Sequence, residues 1–275
     1  MIRDSFDLTG RVAVITGGAG MLGFQHAKAI AGMGGIPVIW DVRGREASQK
    51  AAEISELFQV RAEGYAVDIT DPRAVQNGLA RITEAFQRVD ILINNAANDP
   101  KVSDTGTVVN SDHLEDFSLD RWNKDLAVGL TGAFICSQIV GTAMALRGKG
   151  VILNIASELA LIGPDQRIYR QPGLSDEQQP VKPVTYSVVK SGILGLTRYL
   201  ATYWADKGVR VNALSPGGVY AEQPPAFVKR LSSLSPMGRM AQKDEYQAAV
   251  VFLVSDASSF MTGANVVIDG GRTCW

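Results

Sequence analysis

The strongest constraint on this chain is the alternation of short β-branched runs with longer helical patterns. Arg11–Thr16, Ile36–Trp40, Ala62–Val67, Val89–Asn94, Gly150–Ala156 and Val209–Leu214 read as strands, and "ANVVIDGG" near the C-terminus adds another. They are apolar on both faces, as parallel strands covered by helices must be. Helices are expected over Leu22–Met33, Arg45–Phe58, Pro72–Gln87, Leu119–Leu146 and Val184–Asp206. This repetition predicts an α/β fold, a Rossmann-type doubly wound parallel sheet. No shift in composition or flexible linker divides it, so residues 1–275 are expected to form a single domain.

Three long irregular stretches interrupt the pattern: Asn98–Phe117, Gly163–Pro183 and Gly217–Arg239. Each follows the C-terminal end of a predicted strand, where open α/β sheets bind ligands, and loops this long are more often functional than accidental. They are expected to be substrate loops.

Lys and Arg number 27 against 28 Asp and Glu, which leaves no field for gripping nucleic acid or an anionic membrane. Charges occupy the start of the chain where an export signal needs apolar residues. No apolar run approaches the ~20 residues that span a bilayer. Cys136 and Cys274 form no CxxC pair and do not cluster with the two histidines, which argues against a disulfide framework or a metal site. A cytoplasmic location is the simplest expectation.

In "VAVITGGAGMLG" the residues Gly17, Gly18, Gly20, Met21, Leu22 and Gly23 join the first strand to the first helix. Glycines there let the backbone approach a pyrophosphate, whose charge the helix N-terminus favours. Asp41 ends the second strand. A carboxylate there bonds an adenosine ribose and repels a 2′-phosphate, so NAD is expected in preference to NADP, although the nearby Arg43 could pair with such a phosphate. Asp68 could cap the next helix or contact the adenine.

Together with "NNAA" at Asn94–Ala97, "YSVVK" at Tyr186–Lys190, "LSPGGV" and "MTGANVVIDGG", in this order, the glycine turn makes the chain resemble the short-chain dehydrogenase/reductase family along essentially its whole length. The resemblance implies that Ile69, Asn95, Ala96, Ala97, Pro216, Gly217 and Val219, with Tyr186 and Lys190, also contact the dinucleotide. It implies a catalytic set of Ser157, Tyr186 and Lys190, with Lys190 bonding the nicotinamide ribose. Three departures stand out. The spacing Gly17–Gly20–Gly23 resembles that of the longer members, where shorter ones would have glycine at Met21. Gly129, in "GLTG", occupies the place of an asparagine that helps hold a catalytic water. The threonine usual after the proline–glycine turn is absent from "PGGVYAEQP". Asn123 and Asn154 are near the missing asparagine in sequence. Ordered water and backbone carbonyls are expected to complete the relay, and asparagine restored at Gly129 should raise turnover if the relay is impaired.

Two tyrosines compete for the chemistry. Tyr186 and Lys190 stand at i and i+4 on one helix face. A free tyrosine, with a pKa of about 10, is a poor base near neutrality, and a nearby ammonium favours its phenolate. Tyr169 has Gly173 at the corresponding place, and Pro172 opposes a continuous helix. Tyr186 is therefore the expected general acid/base, and Ser157 would hold the substrate oxygen.

The expected reaction is the NAD-dependent interconversion of a secondary alcohol and a ketone. The closest likeness is to bacterial members that act in surface-sugar (legionaminic acid and nonulosonate) pathways, and Lys101, Arg167, Arg170 and Lys182 could bind the phosphate of a sugar phosphate or nucleotide sugar. A non-catalytic NAD-binding regulator and a sugar-nucleotide epimerase or dehydratase are the alternatives. The resemblance further implies a homotetramer, or else a homodimer, paired through Leu119–Leu146 and Val184–Asp206, with the tail "RTCW" near a subunit boundary.

Overall fold

The computed structural model describes residues 1–98 and 112–275. Seven strands, β1 (Val12–Thr16), β2 (Ile36–Asp41), β3 (Glu63–Ala66), β4 (Ile91–Asn94), β5 (Gly150–Ile155), β6 (Val209–Pro216) and β7 (Asn265–Ile268), form one sheet in the order β3-β2-β1-β4-β5-β6-β7. Every pair is parallel. The strand order reverses between β1 and β4, which opens a crevice at their C-terminal ends.

Strand alternation sends side chains to two separate cores. Ala13 and Ile15 of β1 join Ile39, Ile54, Leu153 and Val250 on one face; Val12 and Val14 join Trp40, Ile82, Leu92 and Met144 on the other. Each fully buried aliphatic side chain contributes about 1.5–3 kcal/mol relative to exposure. The helices that cover these faces are α1 (Met21–Gly32), α2 (Gly44–Phe58), α3 (Pro72–Phe86), α4 (Leu119–Leu146), α5 (Val184–Tyr203), α6 (Pro225–Ser232) and α7 (Gln247–Val254).

Three details depart from the sequence reading. The stretch 217–239, expected to be irregular, contains α6, which starts with proline at its first position, where the missing N–H costs nothing. The helix α5 stops at Tyr203 rather than Asp206; Ala205–Lys207 forms a separate 3₁₀ turn ending at Gly208, whose φ is +70°. Finally, α4 is apolar enough by length and composition to cross a membrane, with a mean hydropathy of 1.6 over 18 residues. Its Ile135, Cys136, Val140 and Met144 are buried against the sheet, as in a core helix. Two π turns, Ala127–Thr131 and Ser137–Gly141, interrupt α4; such turns are frequent at functional sites.

Candidate active site

The glycine turn follows β1 directly. Gly17 has φ +60°, and a Cβ there would stand 2.9 Å from the Ala96 Cα. A Cβ at Gly23 would stand 2.4 Å from the Gly17 oxygen, so this glycine lets α1 close onto the turn. Met21 needs no such freedom: it is partly exposed at the first position of α1. Its departure from the shorter members' pattern is therefore accommodated. Gly20 begins α1 with no side-chain cap, leaving the amides of Met21, Leu22 and Gly23 to an anion. The loop after β4 is pinned to the same turn. The amides of Asn95 and Ala96 donate to Thr16 Oγ1 at 3.0 and 3.1 Å, and Asn95 Nδ2 donates to the Thr16 and Gly17 carbonyls.

Asp41 lies at the end of β2, its carboxylate accepting from the Ala19 amide at 3.2 Å and from the Arg43 amide and Nε at 3.0 and 3.1 Å. Arg43 therefore folds back on Asp41 and also pairs with Glu46. Asp68 does not cap α3. It accepts from the amide and hydroxyl of Thr70, while Asp71 caps the helix through the Arg73 amide. Ile69 is buried, its Cδ1 2.6 Å from where a Cβ on Gly132 would stand, so its side chain packs on α4. The glycine cradle, uncapped α1 and Asp41 together fit a nicotinamide dinucleotide.

Ser157 follows β5 in extended conformation, and its Oγ accepts from the Leu159 amide at 3.2 Å, leaving its hydroxyl proton to donate. Tyr186 lies in the first turn of α5. Lys190, one turn later, is buried and donates from Nζ to the Ile155 carbonyl at 2.9 Å, two residues before Ser157. Its ammonium is 5.9 Å from the Tyr186 ring centre, and that of Lys182 is closer, at 3.8 Å. Two cations therefore stand beside one phenol ring. Lys190 thus ties the helix that carries Tyr186 to the end of β5, two residues before Ser157.

Tyr169 is elsewhere. It packs on Phe227 of α6 with ring centres 5.5 Å apart, beside a cluster of Ile168, Leu231 and Met240, and Arg230 Nε donates to the Ile168 carbonyl. The insertion 163–183 is thereby fastened to α6. Its neck is closed by a reciprocal pair, Lys182 N to Gln166 Oε1 at 2.8 Å and Gln166 Nε2 to the Lys182 carbonyl at 3.2 Å.

The expected phosphate cluster does not assemble among the described residues. Arg167 pairs with Asp165, and Arg170 with Asp176, both exposed; Lys182 sits on Tyr186; Lys101 lies outside the described residues. Neither candidate asparagine replaces the one missing at Gly129. Asn123 is exposed, and Asn154 is buried between Asn94 Nδ2 and Thr197. Restoring asparagine at Gly129 is opposed sterically: a Cβ there would stand 2.5 Å from Val189 Cγ1.

Sequence reasoning missed Asp125 and Thr185. Both line a small cavity with Ala97, Asn98, Gly129, Lys182, Tyr186 and Lys190. The available signal was spacing, since Asp125 precedes Gly129 by one helical turn. It also missed Glu158, next to Ser157. This carboxyl is buried, accepts from Arg272 Nη1 at 3.2 Å, and burial pushes it up to about 7 despite the guanidinium. Any side chain at Gly217 would meet the Asp269 Cα at 2.7 Å and Glu158 Oε2 at 2.9 Å, which explains the glycine after Pro216. Gly217 is fixed by its amide on the Ile268 carbonyl, and Val219 pairs with Ala241.

A family model described as short chain dehydrogenase matches residues 11–169, and one described as Enoyl-(Acyl carrier protein) reductase matches 175–273. The chain is 34% identical to D-threitol dehydrogenase of Mycolicibacterium smegmatis, over 98% of this chain and 95% of that protein. It is 32% identical to NAD-dependent glycerol dehydrogenase of Listeria innocua, over 98% and 96%. It superposes with a TM-score of 0.84 on a gluconate 5-dehydrogenase from Burkholderia cenocepacia J2315 in complex with NADP and tartrate, at 28% identity and 100% coverage of both chains.

Proposed function

The chain belongs to the short-chain dehydrogenase family, and from that premise we propose that it is an NAD-dependent dehydrogenase interconverting a secondary alcohol of a small polyol or sugar with its ketone. One observation carries this reading: Lys190, one helical turn after Tyr186, is fixed on the carbonyl of Ile155, which ends β5 two residues before Ser157. With the dinucleotide's pyrophosphate in the glycine cradle, its nicotinamide would accept or supply hydride.

The chain's own residues handle the proton. In alcohol oxidation Ser157 donates a hydrogen bond to the substrate oxygen and orients it. Tyr186, held towards the phenolate by Lys182 and Lys190, takes the hydroxyl proton. In ketone reduction Tyr186 returns it. Gly17, Gly18, Gly20 and Gly23, with Asp41, Asn95, Ala96, Pro216, Gly217 and Val219, would hold the dinucleotide. Asp41 supports NAD; its engagement with Arg43 leaves that cation within reach of a 2′-phosphate if Asp41 is removed.

The ion pairs Arg167–Asp165 and Arg170–Asp176 favour an unphosphorylated substrate over a sugar phosphate or nucleotide sugar, and so favour polyol metabolism over surface-glycan synthesis. The insertion 163–183 and α6 would wall the substrate side. Exposed Phe134 on α4 and Val188, Tyr199 and Tyr203 on α5 support pairing of these helices between copies, in a homotetramer or homodimer.

The test is absorbance of reduced nicotinamide with D-threitol, glycerol, gluconate, a sugar phosphate and a nucleotide sugar, each with NAD and NADP. We expect turnover with an uncharged polyol and NAD that is lost in Tyr186→Phe. Turnover confined to phosphorylated substrates would overturn the substrate class.

A further inference from the structure

A phenol that takes a proton in every oxidative turnover must pass it on, and the small cavity beside Tyr186 holds one carboxylate among its described lining residues. Lys182 and Lys190 present ammoniums, and Gly129 presents no side chain. The carboxylate lining the same cavity is Asp125. It is buried on α4, one turn before Gly129, at the edge of the π turn Ala127–Thr131. Thr185 Oγ1, itself buried and next to Tyr186 in sequence, donates to Asp125 Oδ2 at 2.6 Å; Asn98 Nδ2 approaches Oδ1 at 3.4 Å. The cavity has room for about one water molecule, and Asn98, which also lines it, is exposed to solvent.

We propose that Asp125 is a positioning residue of the proton path, receiving the proton that leaves Tyr186 and releasing it to solvent beside Asn98. The proposal rests on the dehydrogenase reading above. During oxidation the substrate O–H bond breaks and Tyr186 O–H forms; the hydride leaves the carbinol carbon for the oxidised dinucleotide. The phenol proton then passes through water in the cavity to the Asp125 carboxylate and on to bulk solvent, so each alcohol oxidised releases one proton. Reduction runs the same path inward. Among the described residues, the titratable and charged groups that face Asp125 are Lys182 before α5, Tyr186 in its first turn, Lys190 one turn later, and Asp112, which is paired with Arg121 of α4.

The test uses the full-length enzyme with NAD and whichever polyol it turns over. Asp125→Asn keeps an oxygen for Thr185 but cannot take a proton. We expect kcat for oxidation to fall about 10-fold at neutral pH and to keep rising with pH where the wild type levels off, with NAD affinity, read by fluorescence quenching, unchanged. A kcat and pH profile within about twofold of wild type, while Tyr186→Phe is inactive, overturns the proposal and leaves the dehydrogenase reading intact. Turnover retained in Tyr186→Phe sinks that underlying reading instead. If Asp125→Asn does not fold, Thr185→Val carries the test. It leaves the carboxylate but removes its donor, so the acidic limb of kcat should move to higher pH by about one unit. An unmoved limb overturns the proposal.

Discussion

Lys190 Nζ stands 2.9 Å from the Ile155 carbonyl, joining the helix that carries Tyr186 to the strand that presents Ser157. This bond gives one side chain two duties, tuning a phenol and satisfying a buried acceptor.

Lys190→Met should therefore lower turnover by at least about 100-fold and also destabilise the fold by about 1–3 kcal/mol, because the Ile155 carbonyl loses its partner. Lys190→Arg keeps a donor and a charge on a bulkier fork, so it should recover part of the stability and little of the turnover. Parallel kinetics and urea unfolding would separate the two effects.

At Gly129 the structure reverses the expectation from sequence. Gly129→Asn should lower turnover and cost about 1–3 kcal/mol, since the new side chain runs into Val189. Adding Val189→Ala should recover a measurable part of that loss in a double-mutant cycle. Additive losses would show that the clash is not the cause.

Cofactor choice is a separate matter, set at Asp41. Asp41→Ser removes the carboxylate that engages Arg43 and frees the guanidinium for a 2′-phosphate. The ratio of kcat/KM for NADP to that for NAD should rise by about tenfold or more. An unchanged ratio would place the discrimination elsewhere.

His26 offers a test of stability against pH. It is wholly enclosed in α1 with no hydrogen-bond partner for either ring nitrogen among the described residues, since Asn95 Nδ2 is turned to Thr16 and Gly17. Burial pushes the imidazole down to about 4. The folded state then refuses a proton that the unfolded chain takes up below about 6.5. Stability is full above that value and declines as pH falls towards 4, by about 2 kcal/mol between pH 7 and 5. His26→Leu should flatten this slope in urea titrations.

Glu158 has the opposite sign. Its folded value of about 7 lies above the ordinary 4.5, so the stability from its protonated form is full below about 4.5 and lost as pH rises through 7. Glu158→Gln keeps an acceptor for Arg272 and should be more stable than wild type at pH 8 by about 2 kcal/mol, with no gain at pH 4.5. Equal gains at both values would show that charge is not the reason.

Strand positions were legible because parallel strands buried on both faces leave unbroken β-branched runs, and the pairing of Tyr186 with Lys190 was legible because spacing places both on one helix face. The helix α6 was not, since its prolines at 224 and 225 suggest a loop until one of them is recognised as a helix start. The π turn at Gly129 was equally hidden: a locally wider turn leaves no mark in the composition. The loop cations misled for a different reason. Arg167 has Asp165 only two residues away, and a local ion pair leaves less charge to converge on a ligand. Asp125 carries nothing in sequence that sets it apart from other helix acids, and its burial becomes visible only once α5 sets Thr185 against it.

The clasp between Gln166 and Lys182 has a consequence for how such a chain can diversify. With the neck held at 2.8 and 3.2 Å and Ile168 and Tyr169 anchored on α6, the residues beyond that anchor are a closed excursion whose length has little effect on the scaffold. Doubling an excursion's length costs only about 0.6 kcal/mol in chain entropy. New segments could be grafted between Arg170 and Val181 while Pro183 and the head of α5 stay in register. The recognition surface could then drift or be redesigned as a cassette, with the acid–base machinery inherited unchanged.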